Sequence, residues 1–548
     1  MGKLFIFIVL LCLYSTSLPI NSADKTFNVR HHLATVTRYK DVNDIADSFE
    51  GSKLPDQCVP IHLNLVARHG TRAPTKKKLR SFEDLATRLK FLLHSAKEQQ
   101  SLGKIPAWLW GWESPWKGKV KGGELISQGE DELYDLGIRL RKKFPDLLNE
   151  EYHPDVYSIK ATQIPRASAS AVAFGMGLFN GKGNLGPGSH RAFAVTSESR
   201  LSDIVLRFHD CCQNYKAFRK SQEPGVNKLK EPVLDELTQA IGNRYGLNFT
   251  RHDISTLWSL CKQEASLLDL TEQACALFSP SEVALLEWTD DLELFMLKGY
   301  GKSLNYRMGV PLLEDVIQSM EEAIKAKEEG AAPGSYEKAR LRFAHAETLL
   351  PFSCLLGLFL EGPEFELIRR EESLQLPPKP PQRRIWRGST VAPFAGNNVL
   401  VLYSCKEKDA SKYLVQVFHN ENPIPVPGCN GSNICSLEAF KGLAEPHLKH
   451  KFNSLCSTEV ETGESMVPIK EYIFFIGIVS IAVCYIIYNR WPAVHPIRPK
   501  TYQAHKLIFY VSFFFLPLGS SLVNLVVMGY PMKLFACTVI SPCRFLCL

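Results

Sequence analysis

The first strong pattern along the chain is an apolar run, Ile61 to Ala67 (IHLNLVA), broken only by His62 and Asn64, which predicts a strand. Phe82, Leu85, Leu89, Leu92 and Leu93 then recur at helical spacing, predicting a helix over Ser81 to Lys97 with Ser81 as its cap. A second helix is expected over Glu130 to Lys143, with Leu133, Leu136, Ile138 and Leu140 apolar and a basic end. Val156 to Ala161 reads as a strand running into a helix that carries Arg166, and Ala192 to Val195 as another short strand. Strands alternating with helices predict an α/β fold, a mixed sheet with helices on both faces. From Leu201 to Glu337 the period changes: Pro232 to Ile241, Asp253 to Leu268, Pro280 to Lys298 and Gly309 to Lys327 all read as helices. The pattern then returns to strands at Lys338 to Ala344 and Asn398 to Tyr403. The expected organisation is therefore a catalytic α/β domain in two parts, 24–200 and 338–466, with a mainly helical domain, 201–337, inserted between them.

Both ends depart from this globular pattern. Lys3, an apolar core from Leu4 to Tyr14 and the small residues Ser22 and Ala23 describe a secretory signal over 1–23, too short to span a bilayer comfortably. Near the C-terminus, 472–488 is a continuous apolar run close to the lower limit for a spanning helix, and 507–528 is a second, weaker one carrying Pro517, Gly519 and Asn524. The loop between them is basic, which favours its cytosolic placement. The expectation is a lumenal or extracellular catalytic domain anchored to a membrane by its C-terminal segments, or a secreted one without that tail.

Charge and cysteines narrow the class. A formal charge of +7 over 548 residues is mild, and the basic residues are local rather than striped, which excludes a dedicated nucleic-acid binder. Cys58, Cys211, Cys212, Cys261, Cys275, Cys354, Cys405, Cys429, Cys435 and Cys456 form no Cys-x-x-Cys pattern, so an oxidising compartment fits them better than a metal does. Asn248-Phe249-Thr250 and Asn430-Gly431-Ser432 are glycan acceptor sequences. No His/Asp/Glu cluster demands a metal ion, and neither metal nor cofactor is expected.

The candidate chemistry follows the first strand directly, in Arg68-His69-Gly70-Thr71-Arg72-Ala73-Pro74. Two guanidiniums flanking one imidazole repel each other unless an anion sits among them. Arginine's planar fork matches phosphate oxygens two at a time. The imidazole can then act as a nucleophile on phosphorus. A solvated basic loop after an edge strand is the rival reading of so short a motif.

The full string RHGTRAPT resembles the signature of the histidine acid phosphatases, branch 2 of the histidine phosphatase superfamily. His345-Ala346-Glu347 is similar to their distant second motif, in the His-Ala-Glu form of the multiple inositol polyphosphate phosphatases. Thr75-Lys76-Lys77-Lys78 resembles the plant members, Thr162 to Ser170 supplies the family's arginine setting with Arg166, and Leu125-Ile126-Ser127-Gln128-Gly129 is similar to its Leu-Thr-x-x-Gly turn. The resemblance runs from about Cys58 to Cys456. It implies phosphomonoester hydrolysis through a phosphohistidine. His69 would be the nucleophile and Glu347 the proton donor, with Arg68, Arg72, Arg166 and His345 binding phosphate. Lys76, Lys77, Lys78 and Arg80 would form an electropositive rim, or merely a solvated run. By the same resemblance, Cys58 pairs with Cys354, Cys261 with Cys275 and Cys429 with Cys435, Cys456 takes Cys211 or Cys212, and Cys405 stays free.

The substrate implied is a polyanionic small molecule: inositol hexakisphosphate, lower inositol polyphosphates and 2,3-bisphosphoglycerate. Two alternatives stand beside it, a general acid phosphatase on small monoesters and a membrane-displayed binding protein that has lost catalysis.

Overall fold

The computed structural model describes residues 27–42, 52–98, 105–332, 334–360, 364, 384–406 and 412–457, together with three short strands in the tail. The chain divides into two units, residues 1–460 and 461–548. The signal segment 1–23, the apolar run 472–488 and most of 507–528 lie outside the described residues. Within the second unit Asn524–Val527, Phe535–Ser541 and Arg544–Cys547 pair as an antiparallel sheet, so the end of the weaker apolar segment is extended rather than helical. Among the described residues no helix is long and apolar enough to cross a membrane.

The first unit is built on β1 (Cys58–Arg68), β2 (Tyr157–Ala161), β3 (Ala339–Ala344), β4 (Asn397–Cys405), β5 (Tyr413–His419), β6 (Asn422–Pro423) and β7 (Ile434–Ser436). Their order is β2-β3-β1-β4-β5-β6, with β7 pairing with β5. β1, β2 and β3 run parallel, while β4 is antiparallel to β1 and to β5. The sheet is mixed, as the alternating pattern implies. The Ala192 to Val195 segment forms no strand; Thr196 alone bridges to Lys160.

Alternation along β1 sorts its side chains to two faces. Leu63, Leu65 and Ala67 join one core with Leu133, Leu136 and Leu140 of α2 (Ser127–Lys143) and Ala171, Phe174 and Leu178 of α3 (Pro165–Leu178). Val66 joins another with Leu312, Leu313 and Val316 of α7 (Val310–Glu328) and Leu349, Leu350 and Phe352 of α8 (Ala346–Leu355). The two polar interruptions of the strand pattern are buried but satisfied. Asn64 Oδ1 accepts from Arg342 at 2.9 Å and from the Ser319 hydroxyl at 3.0 Å, and Arg342 pairs with Asp315 on α7. His62 Nε2 lies 3.1 Å from Glu337. A buried charge is tolerated when it is paired and hydrogen-bonded in this way.

Between the two halves of the sheet lie α4 (Gln213–Tyr245), α5 (Arg251–Leu267) and α6 (Pro280–Lys298). α5 and α6 start at capping boxes, Thr250 with Asp253 and Ser279 with Glu282, and Pro280 occupies the first turn of α6. α4 runs through Pro224 and Pro232 instead of starting at Pro232. Each proline forfeits a backbone donor, offset here by burial of Val226, Val233, Leu237 and Ile241. α1 (Lys76–Glu98) also begins earlier than its apolar spacing suggests. The Thr75 hydroxyl accepts from the Lys78 amide, while Ser81 lies inside the helix and donates to the Lys77 carbonyl, so Thr75 and not Ser81 is the cap. The apolar side of α1 packs into the helical core with Leu237, Ile241, Leu257 and Leu286 rather than onto the sheet.

Among the described residues four disulfides form: Cys58–Cys405, Cys212–Cys456, Cys261–Cys275 and Cys429–Cys435. The expected Cys58–Cys354 pair is wrong, and so is a free Cys405. The antiparallel register sets Cys58 directly opposite Cys405, with Cα atoms 4.0 Å apart, while Cys354 sits in α8 as a buried thiol. Burial pushes that thiol well above its usual range. A bridge across a separation of 347 residues is worth roughly 2–5 kcal/mol in a native secreted domain. Non-reducing peptide mapping should recover Cys58 and Cys405 in one linked fragment, with Cys354 labelled only after unfolding. Recovering a Cys58–Cys354 fragment would refute the register.

Candidate active site

The parallel register decides what meets at the carboxyl edge of the sheet, where α/β sheets place their sites. Arg68 at the end of β1 stands opposite Ala344 at the end of β3, so the next residues, His69 and His345, emerge side by side with ring centroids 5.5 Å apart. On the other side of β3, β2 ends with Ala161 opposite Phe343. The following Thr162 places its hydroxyl 2.9 Å from His345 Nε2. α3 then starts at Pro165, which sets Arg166 in the first turn with a guanidinium nitrogen 3.5 Å from His345 Nδ1.

The loop carrying His69 is held from several directions. Its amide donates to the Ala344 carbonyl at 3.0 Å. The Gly70 amide donates to the Ser170 hydroxyl at 3.1 Å, and Glu132 accepts from the Thr71 amide at 2.7 Å and from its hydroxyl. Gly70 and Gly129 interlock: a methyl on either would strike backbone atoms, those of Gly129 in the first case and of Thr71 in the second. The Leu125 to Gly129 turn therefore acts as the seat of the histidine loop.

His69 is 2% exposed, and its Nδ1 lies 2.8 Å from the Gly70 carbonyl oxygen. A carbonyl only accepts, so Nδ1 carries the ring proton and Nε2 is left with a free lone pair. Burial first, then Arg68, Arg166, His345 and Arg72, hold the imidazole well below its usual pKa. The ring therefore stays neutral into acidic solution. Arg68 donates to the carbonyls of Thr35 at 2.6 Å and Ala392 at 2.7 Å, and its guanidinium stacks 4.4 Å over Phe394. The Nε atoms of Arg68, Arg72, Arg166 and Arg207 are all buried and find no acceptor among the described residues. Burial and neighbouring arginines push Arg68 and Arg166 below their usual range. Such a cluster of under-satisfied donors around one neutral imidazole is an anion site.

A family model of the histidine phosphatase superfamily, branch 2, matches residues 61–420. The chain belongs to that superfamily. Among its relatives, the multiple inositol polyphosphate phosphatase 1 of Dictyostelium discoideum is 29% identical over 467 residues, covering 75% of this chain and 70% of the relative. The human multiple inositol polyphosphate phosphatase 1 is 25% identical over 412 residues, covering 72% of this chain and 82% of that protein. The fold is shared with the crystal structure of a phytase from D. castellii, at a TM-score of 0.60 and 17% identity over 81% of this chain and 91% of that one. It is also shared with a Bifidobacterium longum multiple inositol polyphosphate phosphatase solved in complex with inositol hexasulfate, at a TM-score of 0.55 and 19% identity over 76% of this chain and 98% of that one.

In this histidine phosphatase the motif residues His69, Arg68, Arg72, Arg166, His345 and Glu347 all come together. Three side chains without any motif of their own join them: Arg207, His209 and Lys298. Arg207 is 4% exposed and donates to His345 Nε2 at 3.0 Å, with Asp210 as its own anchor. A guanidinium never accepts, so Arg207 at Nε2 and Arg166 at Nδ1 both aim donors at this ring, and burial and then Arg166 hold it well below its usual pKa. His209 lies 6.3 Å from His345, ring to ring, with a buried Nδ1 that finds no partner among the described residues. Burial pushes His209 down to about 4. Lys298, the last residue of α6, donates to Glu347 Oε1 at 2.9 Å and, ahead of every other influence, holds that carboxyl well below its usual range. These neighbours are invisible to periodicity because only folding brings α6 and the 207–209 segment against α8.

The lysine run does not converge on the histidines. Lys76, Lys77, Lys78 and Arg80 are exposed on the first turns of α1, at the edge of the site. Lys78 faces the inserted helices: partial desolvation and then Lys262 hold its ammonium below the usual range, against Asp290 and Glu293. Asn248 and Asn430 are both exposed, as glycan acceptors must be.

Proposed function

We propose that the chain removes phosphates from inositol hexakisphosphate and lower inositol polyphosphates through a phosphohistidine formed on His69. The observation that carries this reading is the neutral His69, with Nε2 free, beside Arg68, Arg72 and Arg166, whose buried Nε donors find no acceptor among the described residues. Relatives named for this activity support the substrate class.

In the first step a bond forms from His69 Nε2 to phosphorus as the ester P–O bond breaks, and the leaving oxygen takes a proton from Glu347. In the second, water attacks phosphorus and gives its proton to the Glu347 carboxylate. The N–P bond then breaks and orthophosphate leaves. Arg68, Arg72, Arg166 and His345 carry the charge on the equatorial oxygens, which is where a phosphoryl transfer draws most of its stabilisation. Residues 201–337 act as an inserted helical domain that closes one side of the site, a reading supported by the reach of Lys298 to Glu347. Four disulfides support maturation in the secretory pathway.

Phosphate release from inositol hexakisphosphate, with products resolved, tests the reading; release only from simple monoesters would favour a general acid phosphatase. The α1 lysines sharpen that test. Exposed charges contribute roughly 0.2–1 kcal/mol each, so replacing Lys76, Lys77 and Lys78 together by Ala should raise KM for inositol hexakisphosphate several-fold, with kcat less affected. The loss should shrink as salt shortens the screening length from about 8 Å at physiological ionic strength. Hydrolysis of an aryl phosphate should hardly respond; an equal loss on both substrates would remove the rim from the model.

A further inference from the structure

Glu347 poses a chemical difficulty for the site. The first step needs it protonated, yet its carboxyl is ion-paired with the Lys298 ammonium. We propose that Lys298 is a substrate-released clamp, holding Glu347 ionised until a second phosphate of the substrate draws the ammonium away and lets the carboxyl take up the proton it must donate.

The geometry supports the transfer. Lys298 ends α6, immediately before Gly299, on a four-carbon stem that can swing without moving the helix. Its ammonium reaches Glu347 Oε1 at 2.9 Å and lies close enough to Glu293 to stabilise that carboxylate too. It is therefore a cation set between two anions, in direct contact with Glu347 and further from Glu293, which is itself ion-paired with Lys230. The other described groups facing Glu347 come from the sheet ends and neighbouring helices. Arg68 and Arg72 come from the end of β1, Arg166 from α3, His345 from the start of α8 itself, His209 from the short helix Phe208–Cys211, and Tyr215 from α4. The arginines are committed to the anion site, while His209 and His345 are neutral, both pushed down by burial. Among the described residues Lys298 alone combines direct contact with Glu347 and a flexible ammonium stem.

The sign follows directly. An opposite charge at this range lowers a carboxyl by roughly one to three pKa units, so removing it raises Glu347 by a similar amount. A general acid works below its pKa, and its titration appears as the alkaline limb of the rate. A substrate with one phosphate leaves the clamp in place and should show that limb at low pH. A substrate with several phosphates should release it and react at higher pH.

The test rests on the inositol-polyphosphate reading for one arm only. In wild-type enzyme, rapid-quench measurement of phosphoenzyme formation at saturating substrate should place the alkaline limb for inositol hexakisphosphate above that for glycerol 2-phosphate, whose alkoxide needs a proton to leave. In Lys298→Met the glycerol 2-phosphate limb should move up by roughly one to three pH units, and the two limbs should coincide. Lys298→Arg should restore the separation. Coincident limbs in the wild type, or an unmoved glycerol 2-phosphate limb in a folded Lys298→Met protein, would overturn the clamp. Should inositol hexakisphosphate not be turned over at all, the substrate reading fails, while the glycerol 2-phosphate shift in Lys298→Met still decides whether Lys298 sets the proton on Glu347.

Discussion

His69→Ala should abolish turnover, lowering kcat/KM by roughly four orders of magnitude or more, as loss of a covalent nucleophile does when the rest of a site acts as a unit with it. The side chain is 2% exposed, but its polar contact among the described residues is a local bond to the next carbonyl, so its removal leaves a small buried void rather than an orphaned charge. The variant should therefore fold, and circular dichroism with a thermal melt should verify it. Rapid acid-free quenching of wild-type enzyme with labelled substrate should trap an acid-labile, base-stable adduct that the variant lacks. The arginines and His345 remain in place, so the variant should still bind orthophosphate. Near-normal activity in folded His69→Ala, or an undiminished adduct, would eliminate the phosphohistidine.

Gly129→Ala should be almost as damaging, although the residue touches no substrate. A methyl there collides with the Thr71 carbonyl and amide, and those atoms belong to the loop that aims His69. The Leu125 side chain at 2.8 Å can yield, but the two nearer atoms are backbone and cannot, and α2 is fixed behind by Leu133, Leu136 and Leu140. The loop must shift instead, pulling on the bonds from Thr71 to Glu132 at 2.7 Å and from Gly70 to Ser170 at 3.1 Å. A displacement of about 1 Å in a positioned group can cost 10²-fold in rate. Overpacking of this kind typically destabilises by about 1–3 kcal/mol. The expected result is a folded protein with a lowered Tm and kcat down roughly a hundredfold. Unchanged kcat would mean that the turn is only a connection.

Both effects trace to one arrangement. Parallel β1, β2 and β3 end in step, and the residue after each end contributes to the site: His69, Thr162 and His345. Positioning at strand ends costs little local strain, because the register of the whole sheet supports each placement.

The motif residues that meet at the sheet edge were legible in the amino-acid sequence, some from local chemistry and some by resemblance. Two arginines around a histidine after an apolar run declare an anion site within a few positions, whereas His345, Glu347 and Arg166 were marked out by their likeness to the family's motifs. Alternation of strand and helix periods likewise determined the mixed sheet and the helical stretch between its halves, since a period reports which face of an element is buried. Helix starts were less legible: α1 is capped by Thr75 within the catalytic loop itself, where the apolar spacing has not yet begun. Tertiary structure alone decided the rest. Cys58 meets Cys405 because β1 and β4 are antiparallel in that register, and no spacing along the chain encodes which cysteines oppose each other across a sheet. His62 and Asn64 look like flaws in a strand until Glu337, Arg342 and Ser319 arrive to satisfy them. Lys298, His209 and Arg207 gain their place beside Glu347 and His345 only when distant segments pack. A charge's protonation depends on which charges surround it, and that is a property of three dimensions that sequence order does not record.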